Sequence, residues 1–132
     1  MEHLLLQNLV GSVLAGEHIY GDQDSRWLGL KPSAKSTVTM YMDRAHLQSI
    51  LHEDGTQETL RPGIPREEQT DLAIPTEHVL LIRVKGGVSY RGGVIDPLPG
   101  VPVPEGYWLE PSPGSGIVLH IPMEEVEEVF GQ

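Results

Sequence analysis

Two parts of this chain resemble each other, and this repeat constrains the fold more than any other feature of the sequence. Residues 2–13 and 77–88 align at an offset of 75 residues, with six identities in twelve positions. Two further matches follow in the same order, at offsets of 81 and 79: Trp27-Leu28 with Trp108-Leu109, and 37–42 with 116–121. Collinear matches at a nearly constant offset predict an internal duplication, with copies in residues 2–51 and 77–130.

Each copy has the order of elements expected of a β-rich unit. Glycine and proline together account for about a fifth of the 132 residues, which favours many turns. In each copy an apolar run is followed by glycine turns, a tryptophan-bearing strand and a strand with period-two alternation. Each copy then ends in a segment, 44–51 or 122–130, with one apolar stripe at helical spacing. We predict a mainly β fold in which each half ends in a short helix or, alternatively, a 3₁₀ turn and a strand.

The last strand of the second copy ends in Ile121-Pro122 and a short turn. This arrangement resembles small closed β-barrels of the Sm or SH3 kind, and also cradle-loop barrels built from two repeats. The resemblance implies a fold and no function. We therefore predict a single compact domain over residues 1–132, as one pseudo-twofold closed barrel or as two small barrels packed together. The polar residues 52–76 are predicted to connect the halves, either as a mobile loop or with a short strand of their own.

Residues 97–113 hold six prolines and form the insertion that distinguishes the second copy. Central strands exclude proline because it removes a hydrogen-bond donor of the ladder. Most of this segment is therefore predicted to be a loop or an extended chain over the surface. We interpret it as a rigid connector. The alternative is a binding loop, because insertions on a repeated scaffold often carry function.

The chain has 19 acidic and 9 basic residues, a net charge of −10 at neutral pH. Such a charge repels phosphate backbones and anionic lipids, so we expect neither a nucleic acid nor a membrane as partner. The absence of cysteine excludes disulfides, thiolate metal sites and cysteine nucleophiles. No apolar stretch reaches the ~18 residues of a membrane span, and the first residues lack the basic start of a signal peptide. We expect the cytoplasm as the location.

The sequence carries no catalytic or nucleotide-binding motif. The segment 87–91 (GVSYR) lacks the last glycine of a nucleophile elbow, and the glycine-rich segment 86–93 lacks the lysine of a phosphate loop. Three histidines directly follow a glutamate, but neighbouring residues of a strand point to opposite faces and do not form one ligand pair. We predict no metal site and no cofactor.

Aromatic residues are the candidates for a binding site. The two tryptophans either anchor the cores of the two halves or line a shared groove or subunit interface, where tryptophan and tyrosine are enriched. Tyr107 adjoins the second tryptophan, and Tyr90 and His120 lie in the same half. The candidate ligand-binding or partner-binding residues are Trp27, Tyr90, Tyr107, Trp108 and His120.

Three functions fit these observations. The absence of catalytic motifs, the acidic charge and the Pro-rich insertion favour a non-catalytic protein–protein interaction module that is homo-oligomeric. A second hypothesis is a β-barrel that binds a small ligand or a metal ion between its halves, through Trp27, Tyr90, Trp108 and His120. A third is a small hydrolase or isomerase that uses histidine and glutamate side chains in a barrel mouth, with His78 and His120 as the histidines to test.

Overall fold

A computed structural model describes residues 2–69 and 78–131 of the chain. These residues form eleven β-strands and three 3₁₀ turns, so the prediction of a mainly β fold is confirmed. No helix in this part of the chain is long and apolar enough to cross a membrane. The segments 44–51 and 122–130 do not form helices. In each of them a 3₁₀ turn leads into a strand, which is the second of the two predicted endings.

The first half contains five strands joined in chain order. They are β1 (His3–Asn8), β2 (Val13–Tyr20), β3 (Trp27–Lys31), β4 (Thr39–Asp43) and β5 (Leu47–His52). The 3₁₀ turn Arg44–His46 separates the last two strands, and the Asp43 side chain caps it by accepting a 3.0 Å hydrogen bond from the amide of Ala45. This cap explains why the chain turns sharply here and β5 can return to pair with β1.

The second half repeats the same succession. Its strands are β7 (Val79–Val84), β8 (Ser89–Val94), β9 (Gly106–Glu110), β10 (Ile117–Pro122) and β11 (Val126–Gly131), with the 3₁₀ turn Met123–Glu125 before the last. In both halves the fifth strand pairs with the first, and the first four strands follow one another in the sheet. The two halves therefore share one topology, as the repeat predicts.

The predicted connector, residues 52–76, has a short strand of its own. Strand β6 (Gln57–Thr59) pairs antiparallel with β5, and a 3₁₀ turn at Arg66–Glu68 follows it. Residues 70–77 lie outside the described part of the chain, and with them the end of the connector and the repeat position Glu77.

All eleven strands belong to one antiparallel sheet in the order β11-β7-β8-β9-β10-β4-β3-β2-β1-β5-β6. The two halves join where β4 pairs with β10, and Met40 lies opposite Leu119 at the centre of this pairing. Among the described residues the two end strands, β6 and β11, do not pair with each other. The sheet is therefore open, and the closed barrel that we expected is not shown.

Strand pairing corrects the alignment of the repeat. Leu6 pairs with Leu14 in the first half, and Ile82 pairs with Tyr90 in the second, which relates the β1–β2 and β7–β8 hairpins by 76 residues. The sequence match at 75 residues equates Leu6, which is fully buried, with Leu81, which is 37% exposed. A shift of one residue in the alignment exchanges the side chains on the two faces of a strand. The alignment by sequence identity therefore does not pair the residues that are equivalent in the structure.

Apolar side chains form three clusters. The core of the first half is built by Leu4, Leu6, Leu14, Leu28, Leu30, Met42, Leu47 and Ile50. The core of the second half is built by Val38, Ile82, Val84, Leu109, Leu119 and Ile121. Met40 packs against both cores. A third cluster, described below, lies between the halves and contains Tyr41, Trp108 and Val118.

Candidate functional site

The third cluster, here called the central aromatic cluster, lies on the sheet face opposite the two cores. Tyr41 stands in β4 between Met40 and Met42, which both pack into cores, so its side chain points to the other face. Successive rings are in contact. The ring centroids of Tyr41 and Trp108 are 5.6 Å apart, and those of Trp108 and His120 are 4.6 Å apart. Tyr20 and Trp27 complete the cluster at its edge, so that both halves contribute to it.

The Pro-rich segment covers this cluster. Residues 95–105 contain no strand or helix, as the prolines predicted. Four apolar side chains of this segment pack against the aromatic rings: Ile95, Leu98, Val101 and Val103. The segment is thus a strap that buries the cluster, so Trp108 is 6% exposed. Burial explains why this long irregular segment has a fixed path.

His120 is the most enclosed polar residue of the site, with 1% of its surface exposed. Burial lowers the pKa of its imidazole, and a hydrogen bond with the backbone of Pro104 opposes this shift. Among the described residues its Nε2 atom has no hydrogen-bond partner. A Cβ atom at Gly106 would lie 2.9 Å from Nε2, so only glycine fits beside the ring. His120 therefore holds one unused polar atom in an apolar environment.

A cleft of about 310 Å³ runs along the junction of the halves, and His120 forms part of its wall. The first half contributes Ile19, Lys31, Ser36, Thr37 and Thr39, and the second contributes Val103, Pro104, Pro122 and Glu124. The cleft has hydroxyl groups and one charge of each sign, so it can accommodate a small polar molecule.

The structure brings together three of the five predicted site residues. Trp27, Trp108 and His120 meet in the central aromatic cluster or against it. Tyr90 and Tyr107 instead pack against the core of the second half. The five residues therefore do not form one cluster, because strand alternation sends the two tyrosines to the opposite face. Their role in binding stays a prediction.

The sequence analysis did not identify a polar cluster in the first half, formed by Glu2, His52 and Glu58. The ring of His52 lies between two carboxylates, with Nδ1 2.9 Å from Glu2 and Nε2 2.5 Å from Glu58. These hydrogen bonds, that to Glu58 first, raise the pKa of His52. Glu2 and His52 are fifty positions apart, so no spacing rule could have joined them. The cluster lines a cavity of about 230 Å³ whose apolar wall includes Leu4 and Ile50.

The sequence also gave no sign of a difference between the two edges of the sheet. In the first half, β5 is covered by β6, and Ile50 is only 4% exposed. Val129 is its equivalent in β11, because Ile50 pairs with Leu6 as Val129 pairs with Ile82. Val129 is 40% exposed, since no strand among the described residues covers the outer side of β11. Within the described part of the chain, this strand of six residues is therefore an open edge of the sheet.

The described residues contain no arrangement that suits metal binding or the predicted hydrolase pair. No group of three or more histidine, aspartate or glutamate side chains there is placed to hold a metal ion. His78 and His120, the pair of the hydrolase hypothesis, line different cavities.

Comparison with known proteins adds the last observation. A scan against models of protein families, a search of curated proteins and a search of solved structures found no match for this chain.

Proposed function

We propose that this chain is a non-catalytic protein–protein interaction module that binds an extended strand of another protein along β11. The observation that supports it best is the contrast between the covered β5 and the open β11. An edge strand has unpaired N–H and C=O groups along its outer side, which a partner strand can pair with. The cytoplasmic location stays a prediction within this proposal.

The side chains of β11 also favour a partner. Val129 and Phe130 are 40% and 45% exposed, and Leu81, which pairs with Phe130, is exposed beside it. A strand added to β11 would cover Val129, whose equivalent beside β6, Ile50, is 4% exposed. Phe130 lies on the other face, where its equivalent Leu51 stays 38% exposed although it pairs with Gln57. Burial of apolar surface together with backbone pairing is how sheet edges commonly bind peptides.

Charge favours a partner other than a second copy. The segment from Glu124 to Glu128 contains four glutamates, and the chain as a whole has a net charge of −10. Pairing of two copies through β11 would bring together two chains that each carry a net charge of −10, which is unfavourable. Homo-oligomer formation stays a prediction that native mass spectrometry tests by comparing the native mass with the 14.5 kDa of one chain.

The proposal is tested by selecting binders from a displayed library of random twelve-residue peptides. We expect selected peptides to bind the wild-type protein and to lose binding to Val129→Lys, since a lysine on an edge strand opposes pairing. Val88→Lys is the matched control, because Val88 is an exposed valine in the β7–β8 turn. Peptides that bind both variants equally, or no enrichment at all, would refute binding at β11.

A second candidate function is binding of a small ligand in the cleft between the halves. The observation that favours it is His120, which forms part of the cleft wall and whose buried Nε2 has no hydrogen-bond partner among the described residues. A ligand that contacts the His120 side chain should change the emission of Trp108, whose ring contacts that of His120. A panel of metabolites and metal ions that leaves tryptophan fluorescence unchanged would contradict this candidate.

A further inference from the structure

The strand β6 and the residues after it show how this fold covers the outer edge of its fifth strand. Gln57, Glu58 and Thr59 pair antiparallel with Leu51, Ile50 and Ser49, respectively. The chain then continues for two residues to Arg61. Its Nη1 donates hydrogen bonds to two backbone carbonyls, those of Arg44 at 2.7 Å and Leu47 at 2.6 Å. The covering segment is thus fixed by strand pairing and by one arginine.

The second half has two backbone carbonyls in positions equivalent to those that Arg61 binds in the first. The 3₁₀ turns Arg44–His46 and Met123–Glu125 occupy the same place between the fourth and fifth strands, and the strands after them correspond at an offset of 79. The equivalents of the Arg44 and Leu47 carbonyls are therefore those of Met123 and Val126. No side chain among the described residues donates to either of them.

The electrostatic environment of these carbonyls also favours a cation. Arg83 pairs with Glu128 and lies 4.0 Å from Glu127. Glu124 and Glu125, in the 3₁₀ turn itself, form no ion pair within the described residues. A guanidinium that reached the Met123 carbonyl would approach these carboxylates as well, and charge-assisted hydrogen bonds are stronger than neutral ones.

We infer that the strand bound by β11 carries an arginine two residues after its last paired residue. This inference rests on the proposed function, because it assigns the chemistry of the partner strand at the same edge. The partner runs antiparallel to β11, with apolar residues opposite Phe130 and Val129 and a short residue opposite Glu128. Two residues after that short residue comes the arginine, whose guanidinium binds the carbonyls of Met123 and Val126.

A designed peptide tests the register. Its core reads isoleucine, valine, threonine, leucine, arginine from N to C terminus, and its binding to the full chain is measured by fluorescence anisotropy. We expect replacement of the arginine by citrulline, which keeps the shape and removes the charge, to weaken binding by roughly tenfold or more. Moving the arginine by one position should weaken peptide binding similarly. The side chain then points to the opposite face of the extended peptide, away from the two carbonyls.

Protein variants separate this inference from the proposed function. Val129→Lys should abolish binding of the designed peptide, and Val88→Lys should leave it unchanged. Failure of the designed peptide to bind, or equal binding of the citrulline peptide, would overturn the arginine assignment. The library selection decides the proposed function independently, because it imposes no sequence on the partner. Selected peptides that need Val129 but contain no arginine would retain the proposed function and reject this inference.

Discussion

Single residues show how the two halves differ in packing while they share one topology. Trp108 pairs with His120 across the second half, and the equivalent pair in the first half is Gly29 and Tyr41. A Cβ atom at Gly29 would lie 2.8 Å from the Tyr41 ring, so no tryptophan fits at that position. The central aromatic cluster therefore has room for one buried tryptophan, and the second half supplies it.

His52 makes the stability of the protein depend on pH. The raised pKa means that the folded state holds the imidazole proton more tightly than the unfolded state does. The stabilisation is therefore fully present below the unfolded pKa of about 6.5 and is lost as pH rises through the higher folded pKa. We expect the free energy of unfolding to fall across this range in the wild type.

Urea denaturation at a series of pH values measures this effect, with His52→Gln as the comparison. The variant keeps a hydrogen-bonding side chain but does not titrate, so its stability should vary less with pH above 6.5. Glu2→Gln and Glu58→Gln should each reduce the slope, because these carboxylates cause the shift. Equal slopes in the wild type and His52→Gln would contradict the prediction.

Among the elements, the strap over residues 95–105 does more than connect two strands. Its apolar side chains cover Trp108, so it completes a hydrophobic cluster between the halves. The sequence predicted its irregular backbone, because proline restricts the backbone of each position. The sequence did not predict what it covers, since that depends on which face of β4 and β10 is turned toward it.

Replacing Leu98 by serine tests the strap. Loss of the apolar contact should admit water to Trp108 and shift its fluorescence to longer wavelength, with a loss of stability of about 1–3 kcal/mol. The measurement is made in a Trp27→Phe background, so that one tryptophan reports. Leu60→Ser, at an exposed leucine after β6, is the control and should leave the spectrum unchanged. An unshifted emission in Leu98→Ser would mean that the strap does not shield Trp108.

The limits of the sequence are clearest in the strands themselves. Alternation and turn residues placed β3, β4, β9 and β10, and the repeat predicted that both halves follow one plan. The opening apolar run of each copy instead contains part of a hairpin of two strands. Sequence identity did not predict which residues are structurally equivalent. Trp27 matches Trp108 in the sequence alignment, but its place in the strand pairing is that of Gly106. The Glu2–His52–Glu58 cluster and the open edge of β11 depend on pairing between distant strands, which local patterns do not encode.

At the scale of the whole molecule, the two halves share a continuous sheet and some of their packing. Met40 lies opposite Leu119 at the centre of the β4–β10 pairing and packs against both cores. Ile117, from the second half, packs against the core of the first. We therefore expect the halves to unfold together in one transition, as small cooperative domains do.

Met40→Ala tests this coupling. Removing a side chain that both cores contact should lower the free energy of unfolding by roughly 2 kcal/mol and increase hydrogen exchange in both β1 and β7. Circular dichroism and tryptophan fluorescence should still give coincident denaturation curves. Two separate transitions, or faster exchange confined to one half, would show that the halves fold independently.

The pairing of β4 with β10 also has a consequence for how such a molecule assembles. Two separate half-length chains joined through these strands would form a pair only above a certain concentration. A covalent connection replaces that encounter with an intramolecular one, which raises the effective concentration of each half near the other. The junction then no longer needs identical halves to form. One half can keep a covered outer strand while the other leaves its own open. A single chain then has, within its described residues, one open fifth strand where a symmetric pair would have two.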